Sequence, residues 1–209
     1  MATHTNKYKV TDNFMPNDYL KHIKDKILAP RGFPWDFSDS VAYKQDNEQQ
    51  DEDAKYNCYL MHEIFNDYAI RSPLHDDLMH LYKELDVRSL IRVRVLMYLN
   101  HGKQIIHQPH TDFMYSHKAA LIYLNTNDGF TQFADADWMP EPKMDKDPNG
   151  ELRLYNYNPF WENSMEPFKT EDRVMSVENR LVVHDGSRPH SSSTCTDQTY
   201  RVLLSLNYT

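Results

Sequence analysis

The stretch "YRVLLSLNY", residues 200–208, constrains the fold more tightly than any other part of the chain. Side chains alternate across a β-strand, so Val202, Leu204, Leu206 and Tyr208 share one face while Arg201, Leu203, Ser205 and Asn207 share the other. The first face is suited to packing against helices. The second carries an arginine, and a guanidinium turned into a barrel interior calls for an anionic partner, because burying it unpaired is costly. One strand thus asks for a dry layer on one side and an anion-holding space on the other.

Other strands are expected nearby. From about Leu90 the chain reads as short β-rich runs broken by turns: "LIRVRVLMYLN", "KAALIYLNTNDGFTQF", "DRVMSV" and "NRLVVHDGS". Such spacing predicts an antiparallel sandwich or barrel. Two helices are expected before it. "PNDYLKHIKDKIL" sets Tyr19, Leu20, Ile23 and Ile27 at helical spacing behind Pro16. "SPLHDDLMHLYKEL" sets Leu78, Leu81, Tyr82 and Leu85 on one side, with Ser72 as N-cap and Pro73 as first residue. At 209 residues with 40% hydrophobic content, one domain is expected over 1–209, with helices and supporting strands in 1–89 and the barrel in 90–209. The acidic "DNEQQDED" (46–53) reads as a solvated loop, and the aromatic-rich insert 135–164 as a substrate-contacting cap or as plain structural cover; either that insert or the loop 44–55 could close over a substrate.

The chemistry enters with "QPHTDF" (108–113), which reads as strand and sets His110 and Asp112 on one face, two thirds of a metal site. His190 follows a glycine-containing turn, and Arg201 lies on the next strand. In an antiparallel barrel those positions can converge on the strand carrying His110 and Asp112. Two imidazoles and one carboxylate on one side of an ion form the facial triad of non-haem Fe(II) oxygenases, with positions left open. A zinc hydrolase is the competitor, but no H-E-x-x-H helix supplies its general base. His107, three residues before His110, faces the other side of an ideal strand; His184 reads as a packed strand residue; His62, His80, His101 and His117 read as surface or satisfied core groups.

The segments "HTD" (110–112), "YLNTNDGFT" (123–131), "NRLVVHDGSRPHSS" (179–192) and "YRVLLSLNY" together resemble the Fe(II)- and 2-oxoglutarate-dependent dioxygenases, in particular their prolyl-hydroxylase-like branch and oxygenases of marine bacteriophages. The resemblance runs from about Leu90 to Thr209. It implies a mostly β fold with flanking α-helices, a double-stranded β-helix or jelly-roll barrel of the cupin kind. It also implies iron held by His110, Asp112 and His190. Arg201 resembles the residue that grips the distal carboxylate of 2-oxoglutarate bidentately. Tyr123 resembles a tyrosine that helps hold that carboxylate, Asn125 and Thr131 would line the same pocket, and Tyr98 would neighbour the metal-bound end. The implied reaction consumes O2 and 2-oxoglutarate, releases succinate and CO2 and hydroxylates a C–H bond. Retention of Asp112 favours hydroxylation over halogenation. The chain departs from animal prolyl hydroxylases six positions past Arg201, where Asn207 stands in place of an aromatic residue.

A protein or peptide substrate is favoured, with a small molecule or nucleobase as the second reading and a non-catalytic metal-binding barrel as the third. Net charge of -8 and the lack of any Lys/Arg run disfavour general nucleic-acid binding. No apolar run suits a signal peptide or a membrane span, and Cys58 and Cys195, far apart, suit a reducing compartment. A cytoplasmic location is expected, that of the host if the chain is phage-encoded; oligomeric state is not legible.

Overall fold

The computed structural model describes residues 8–41, 53–113, 115–134, 144–146, 152–154 and 168–209. Residues 46–52 of the acidic loop and most of the insert 135–164 fall outside them. The chain starts with strand β1 (Tyr8–Thr11), helix α1 (Asn17–Ile27) and β2 (Asp36–Ser38). Next come β3 (Tyr59–Asn66), β4 (Ala69–Ile70), α2 (Leu74–Asp77), α3 (Met79–Glu84) and β5 (Leu90–Leu99). The barrel continues with β6 (Lys118–Tyr123), β7 (Phe130–Ala134), the short pair β8 (Met144–Lys146) and β9 (Leu152–Leu154), and β10 (Phe168–Met175). It closes with β11 (Leu181–Asp185), β12 (His190–Ser192) and β13 (Tyr200–Tyr208).

The larger sheet runs β1–β11–β6–β13–β5–β3–β2, with β4 on the edge of β3; the smaller runs β10–β7–β12, and every pairing between strands is antiparallel. Because β13 lies between β6 and β5, the strand with the strictest alternation sits in the middle of the sheet. Its outer residues Val202, Leu204, Leu206 and Tyr208 join Leu20, Ile23 and Ile27 of α1 and Leu78, Leu81 and Tyr82 in one apolar core. Its inner residue Leu203 joins Tyr98, Leu121, Tyr123 and Val182 of the same sheet and Phe133 and Val174 of the smaller one in a second core. The two sheets therefore face each other as a mostly β jelly roll with helices on one side, the architecture expected.

The expected helix from Pro73 to Leu85 is broken at Leu78 (φ -90°, ψ 0°). The cause lies in α1: the Tyr19 hydroxyl donates to the Asp77 carbonyl at 2.8 Å, taking an acceptor that an unbroken helix would use internally. The N-cap position falls on Pro73 and not on Ser72, whose hydroxyl nevertheless accepts the Leu74 amide at 3.2 Å. Both pieces turn leucines into the helix-side core, so the break leaves the amphipathic pattern intact. Among the described residues no helix is long and apolar enough to cross a membrane.

Candidate active site

The segment carrying His110 and Asp112 is not the strand its sequence suggests. Instead of a continuous ladder, the stretch makes isolated antiparallel bridges, Ile106 to Ser193 and His110 to His190. Their backbones exchange two hydrogen bonds of 2.9 Å, and the Asp112 amide donates to the Gly186 carbonyl at 3.1 Å. Three anchor points thus hold "HTD" against the loop between β11 and β12. Gly186 is needed at that contact, since a Cβ there would collide with the His117 ring.

The three side chains converge. One donor atom from each of His110, Asp112 and His190 lies within 4.8 Å of the others. His190 Nε2 is 3.9 Å from Asp112 Oδ2. Each imidazole directs Nδ1 at a carbonyl two residues earlier, His110 to Gln108 at 3.3 Å and His190 to Arg188 at 3.0 Å. An Nδ1–H bound in this way leaves Nε2 with its lone pair free, the tautomer that ligates a metal. Burial, then the neighbouring His190, pushes the His110 pKa down to about 3, so its ring is neutral near pH 7. Asp112 is held from both sides: Arg92 donates to Oδ1 at 2.6 Å and Asn207 to Oδ2 at 2.9 Å. Desolvation opposes ionisation, yet Arg92 and the two histidines hold this carboxyl far below the usual carboxylate range. The arrangement is a dry carboxylate beside two imidazoles, a donor set that fits a divalent transition metal.

A partly open cavity joins this cluster to Arg201. Arg201 is fully buried. Its Nε donates to Ser176 Oγ at 2.6 Å, and its terminal nitrogens donate to the Ser193 carbonyl at 3.0 Å and to Thr131 Oγ1 at 2.8 Å. The guanidinium lies 5.5 Å from the Tyr98 ring centre and 5.3 Å from that of Tyr123. All its hydrogen-bond partners among the described residues are neutral, so the burial of this charge is not balanced by a protein anion. Gly129 makes the placement possible: a Cβ there would stand 2.6 Å from Arg201 Cδ.

Of the other expected pocket residues, Tyr98 and Thr131 line the cavity. Tyr123 donates its hydroxyl to Thr131 at 2.9 Å and so supports the arginine's partner. Asn125 does not join them. Strand β6 ends at Tyr123, and the Asn125 amide turns to β13, donating to the Tyr200 carbonyl at 2.8 Å and accepting the Val202 amide at 3.0 Å. Its role in the described structure is to pin a strand end. His107 is buried against Tyr98, its Nδ1 paired with Ser192 Oγ at 2.8 Å, and it stands apart from the triad. His184 packs between Phe133 and His190, as expected of a core histidine. His117 is satisfied by the Tyr115 carbonyl and by Asn207. Cys58 and Cys195 are unpaired with each other.

Two site residues went unread in the sequence: Arg92 and Arg94. The signal was available in "LIRVRVLMYL", because register places Arg92 opposite Asn207, Arg94 opposite Ser205, Leu96 opposite Leu203 and Tyr98 opposite Arg201. Cross-strand neighbours share a face, so both arginines look into the barrel with Arg201.

No protein-family model matches the chain, and no curated protein matches it. Solved structures do. An oxidoreductase of the 2OG-Fe(II) oxygenase family from Burkholderia pseudomallei superposes with a TM-score of 0.62 at 10% identity, covering 98% of this chain and 86% of that one. A prolyl hydroxylase from Trichoplax adhaerens, in complex with a peptide fragment of the hypoxia inducible factor oxygen degradation domain, gives 0.55 at 13% identity, covering 98% and 84%. The epimerase SnoN, in complex with Fe3+, alpha ketoglutarate and nogalamycin RO, gives 0.54 at 15% identity, covering 97% and 78%. The fold is therefore that of the 2-oxoglutarate oxygenase barrel, a double-stranded β-helix.

Proposed function

We propose that this protein is an Fe(II)- and 2-oxoglutarate-dependent oxygenase that hydroxylates a C–H bond. The observation that carries the reading is Arg201: a fully buried guanidinium with only neutral partners among the described residues, opening on the same cavity as the His110–Asp112–His190 cluster. A structural metal alone gives no reason for a buried anion receptor beside it, which speaks against the non-catalytic barrel. In this reading His110 Nε2, His190 Nε2 and one Asp112 oxygen hold the iron. Arg92 and Asn207 fix the rotation of that carboxylate, work typical of groups behind a metal ligand. Arg201, with Thr131 and Tyr123 behind it, receives the distal carboxylate of the cosubstrate, and Tyr98 forms the adjoining wall. When bound, iron, 2-oxoglutarate and O2 supply the oxidising chemistry, with succinate and CO2 as by-products. The barrel supplies a dry, preorganised chamber in which that chemistry is directed at the substrate.

A peptidyl substrate remains the first reading of substrate class, supported by the peptide seen in the Trichoplax enzyme; the nogalamycin ligand of SnoN supports a small molecule on the same scaffold. The deciding test of the reaction class is anaerobic. Metal-free protein receives Fe(II) and then 2-oxoglutarate, and the visible charge-transfer band of the chelated oxoacid is recorded beside His110→Ala. Appearance of the band in the wild type and its loss in the variant is the expected result. Iron binding without a band sinks the oxygenase reading and leaves a metal-binding barrel.

A further inference from the structure

The inner faces of β5 and β13 pair rung by rung, and the rungs have an order. Arg201 faces Tyr98, Leu203 faces Leu96 and Ser205 faces Arg94; the last rung is Asn207 with Arg92. The first three rungs line the cavity, while the last grips Asp112 from behind. Along this ladder the cavity presents a cation, an apolar stretch, a second cation and then the metal cluster. A 2-oxo diacid has the matching order: a carboxylate, two methylenes, and a second carboxylate whose neighbouring keto oxygen completes a chelate.

The spacing agrees as well. The rungs of Arg201 and Arg94 lie four residues apart, about 13 Å of strand. A five-carbon diacid measures about 5 Å between its end carbons, and a guanidinium carbon bonded to either end stands about 4 Å further out, so two arginines gripping both ends are also about 13 Å apart. Arg94 is uncommitted among the described residues: its Nε is buried without a hydrogen-bond partner, and no salt bridge joins it to Glu63, which stands opposite in the β3–β5 register. Asp112 is a charge neighbour but not a partner, since its two oxygens are taken by Arg92 and Asn207. Burial acts first on both Tyr98 and Asp112 and disfavours their ionised forms, yet the Arg94 charge favours ionisation of each. Its field therefore reaches both ends of the span.

We infer that Arg94 is a second receptor for the cosubstrate, paired with the carboxylate at its metal-bound end, so that the site reads a 2-oxo diacid by charge at both ends. This deepens the oxygenase reading and rests on it. The metal needs only one oxygen of that carboxylate, which leaves the other for the guanidinium. A charge-assisted hydrogen bond there fixes the rotation of the chelating end as well as adding affinity.

The test separates the two ends with two ligands. 2-Oxopentanoate keeps the 2-oxo acid end and lacks the distal carboxylate. Full-length protein saturated with Fe(II) under anaerobic conditions is titrated with 2-oxoglutarate and with 2-oxopentanoate, and the visible band of the chelated oxoacid gives each affinity. Arg94→Gln is expected to weaken both ligands by the same factor, about tenfold or more, the worth of a hydrogen bond to a charged group. Arg201→Met should weaken 2-oxoglutarate alone. Arg94→Lys, which keeps the charge, should recover part of the loss for both ligands. Fe(II) affinity without ligand should not fall in Arg94→Gln, because a cation beside the site has been removed. Unchanged affinity of Arg94→Gln for both ligands overturns the inference. So does a loss confined to 2-oxoglutarate, which places Arg94 at the distal end beside Arg201, and so does a fall in Fe(II) affinity in both Arg94 variants, which makes the residue a prop of the triad. Wild-type protein that binds Fe(II) but gives no band with either ligand sinks the oxygenase reading itself, and the inference with it.

Discussion

The two faces of β13 are made of the same nine-residue strand and do opposite work. Outward, Val202, Leu204, Leu206 and Tyr208 are buried against helices and bear almost no polar function. Inward, Arg201, Ser205 and Asn207 are just as buried but carry charge and hydrogen-bonding groups into the barrel. Apolar burial stabilises the outer layer without needing a partner of defined geometry. The inner layer is tolerable only where each group is satisfied, and its incomplete satisfaction marks where ligands belong. Stability is thus concentrated on one side of the strand and chemistry on the other, a division that single substitutions should separate.

Inward, the largest effect is expected at Arg201. Replacing it by Met should weaken 2-oxoglutarate binding by about 2–5 kcal/mol, the usual loss when one partner of a buried charge pair is removed. Anaerobic titration of the Fe(II) form followed by the visible band measures it, with iron affinity within a few-fold of wild type. Similar 2-oxoglutarate affinity in the two proteins would falsify the receptor role. Outward, Leu204→Ala should cost about 2–4 kcal/mol of stability through lost contacts and a residual cavity. Denaturant unfolding reads that loss, while 2-oxoglutarate affinity, scored on the folded fraction, should hardly change. Should Leu204→Ala disturb the cosubstrate as much as Arg201→Met does, the two faces are not separable.

A smaller inward effect is expected at Asn207. Its Nδ2 holds Asp112 Oδ2 and also meets His117 Nε2 at 3.2 Å. Asn207→Leu keeps the volume close and removes the hydrogen bond, so the carboxylate is steadied by Arg92 alone. About a 10- to 100-fold loss of Fe(II) affinity is expected, the range for partners of metal ligands. Equilibrium dialysis against a chelator-buffered metal series checks it, and an unchanged affinity would mean that Arg92 suffices.

How far the sequence revealed this division depends on whether a residue's role is set by periodicity or by contacts made across the chain. The alternation of "YRVLLSLNY" was legible because period two is a local rule, and it correctly sent Val202 to the helices and Arg201 to the barrel. The clustering of His110, Asp112 and His190 was reachable from spacing and resemblance together. Their mounting was not: the segment is held by isolated bridges, and the one to His190 joins residues far apart in the chain. Asn125 was misplaced for the same kind of reason, since extending the β6 alternation past Tyr123 ignores a strand end fixed by Tyr200 and Val202. Arg92 and Arg94 were readable in principle, but only after β5 had been set in register beside β13, which no local pattern supplies.

Acid offers the finest probe of the inner layer, because His107 is buried beside it against Tyr98. His107 is buried, with Nδ1 on Ser192 and Nε2 without a partner among the described residues. Burial first, then the Arg201 charge, pushes its pKa down to about 3 from the ordinary 6.5. The sign follows from proton counting. Between about pH 3 and 6.5 the unfolded chain binds a proton that the folded one refuses, so stability falls as pH falls through that window. One such group contributes a slope of about 1.4 kcal/mol per pH unit once its unfolded form is fully protonated. In His107→Asn, which retains hydrogen-bonding capacity toward Ser192, the loss of stability between pH 6 and 5 should be smaller than in wild type by roughly 1 kcal/mol. Urea unfolding of both proteins at pH 7, 6 and 5 makes the comparison. Parallel pH profiles would mean that His107 takes up its proton while folded, and that the inner layer near Tyr98 is wetter than its contacts indicate.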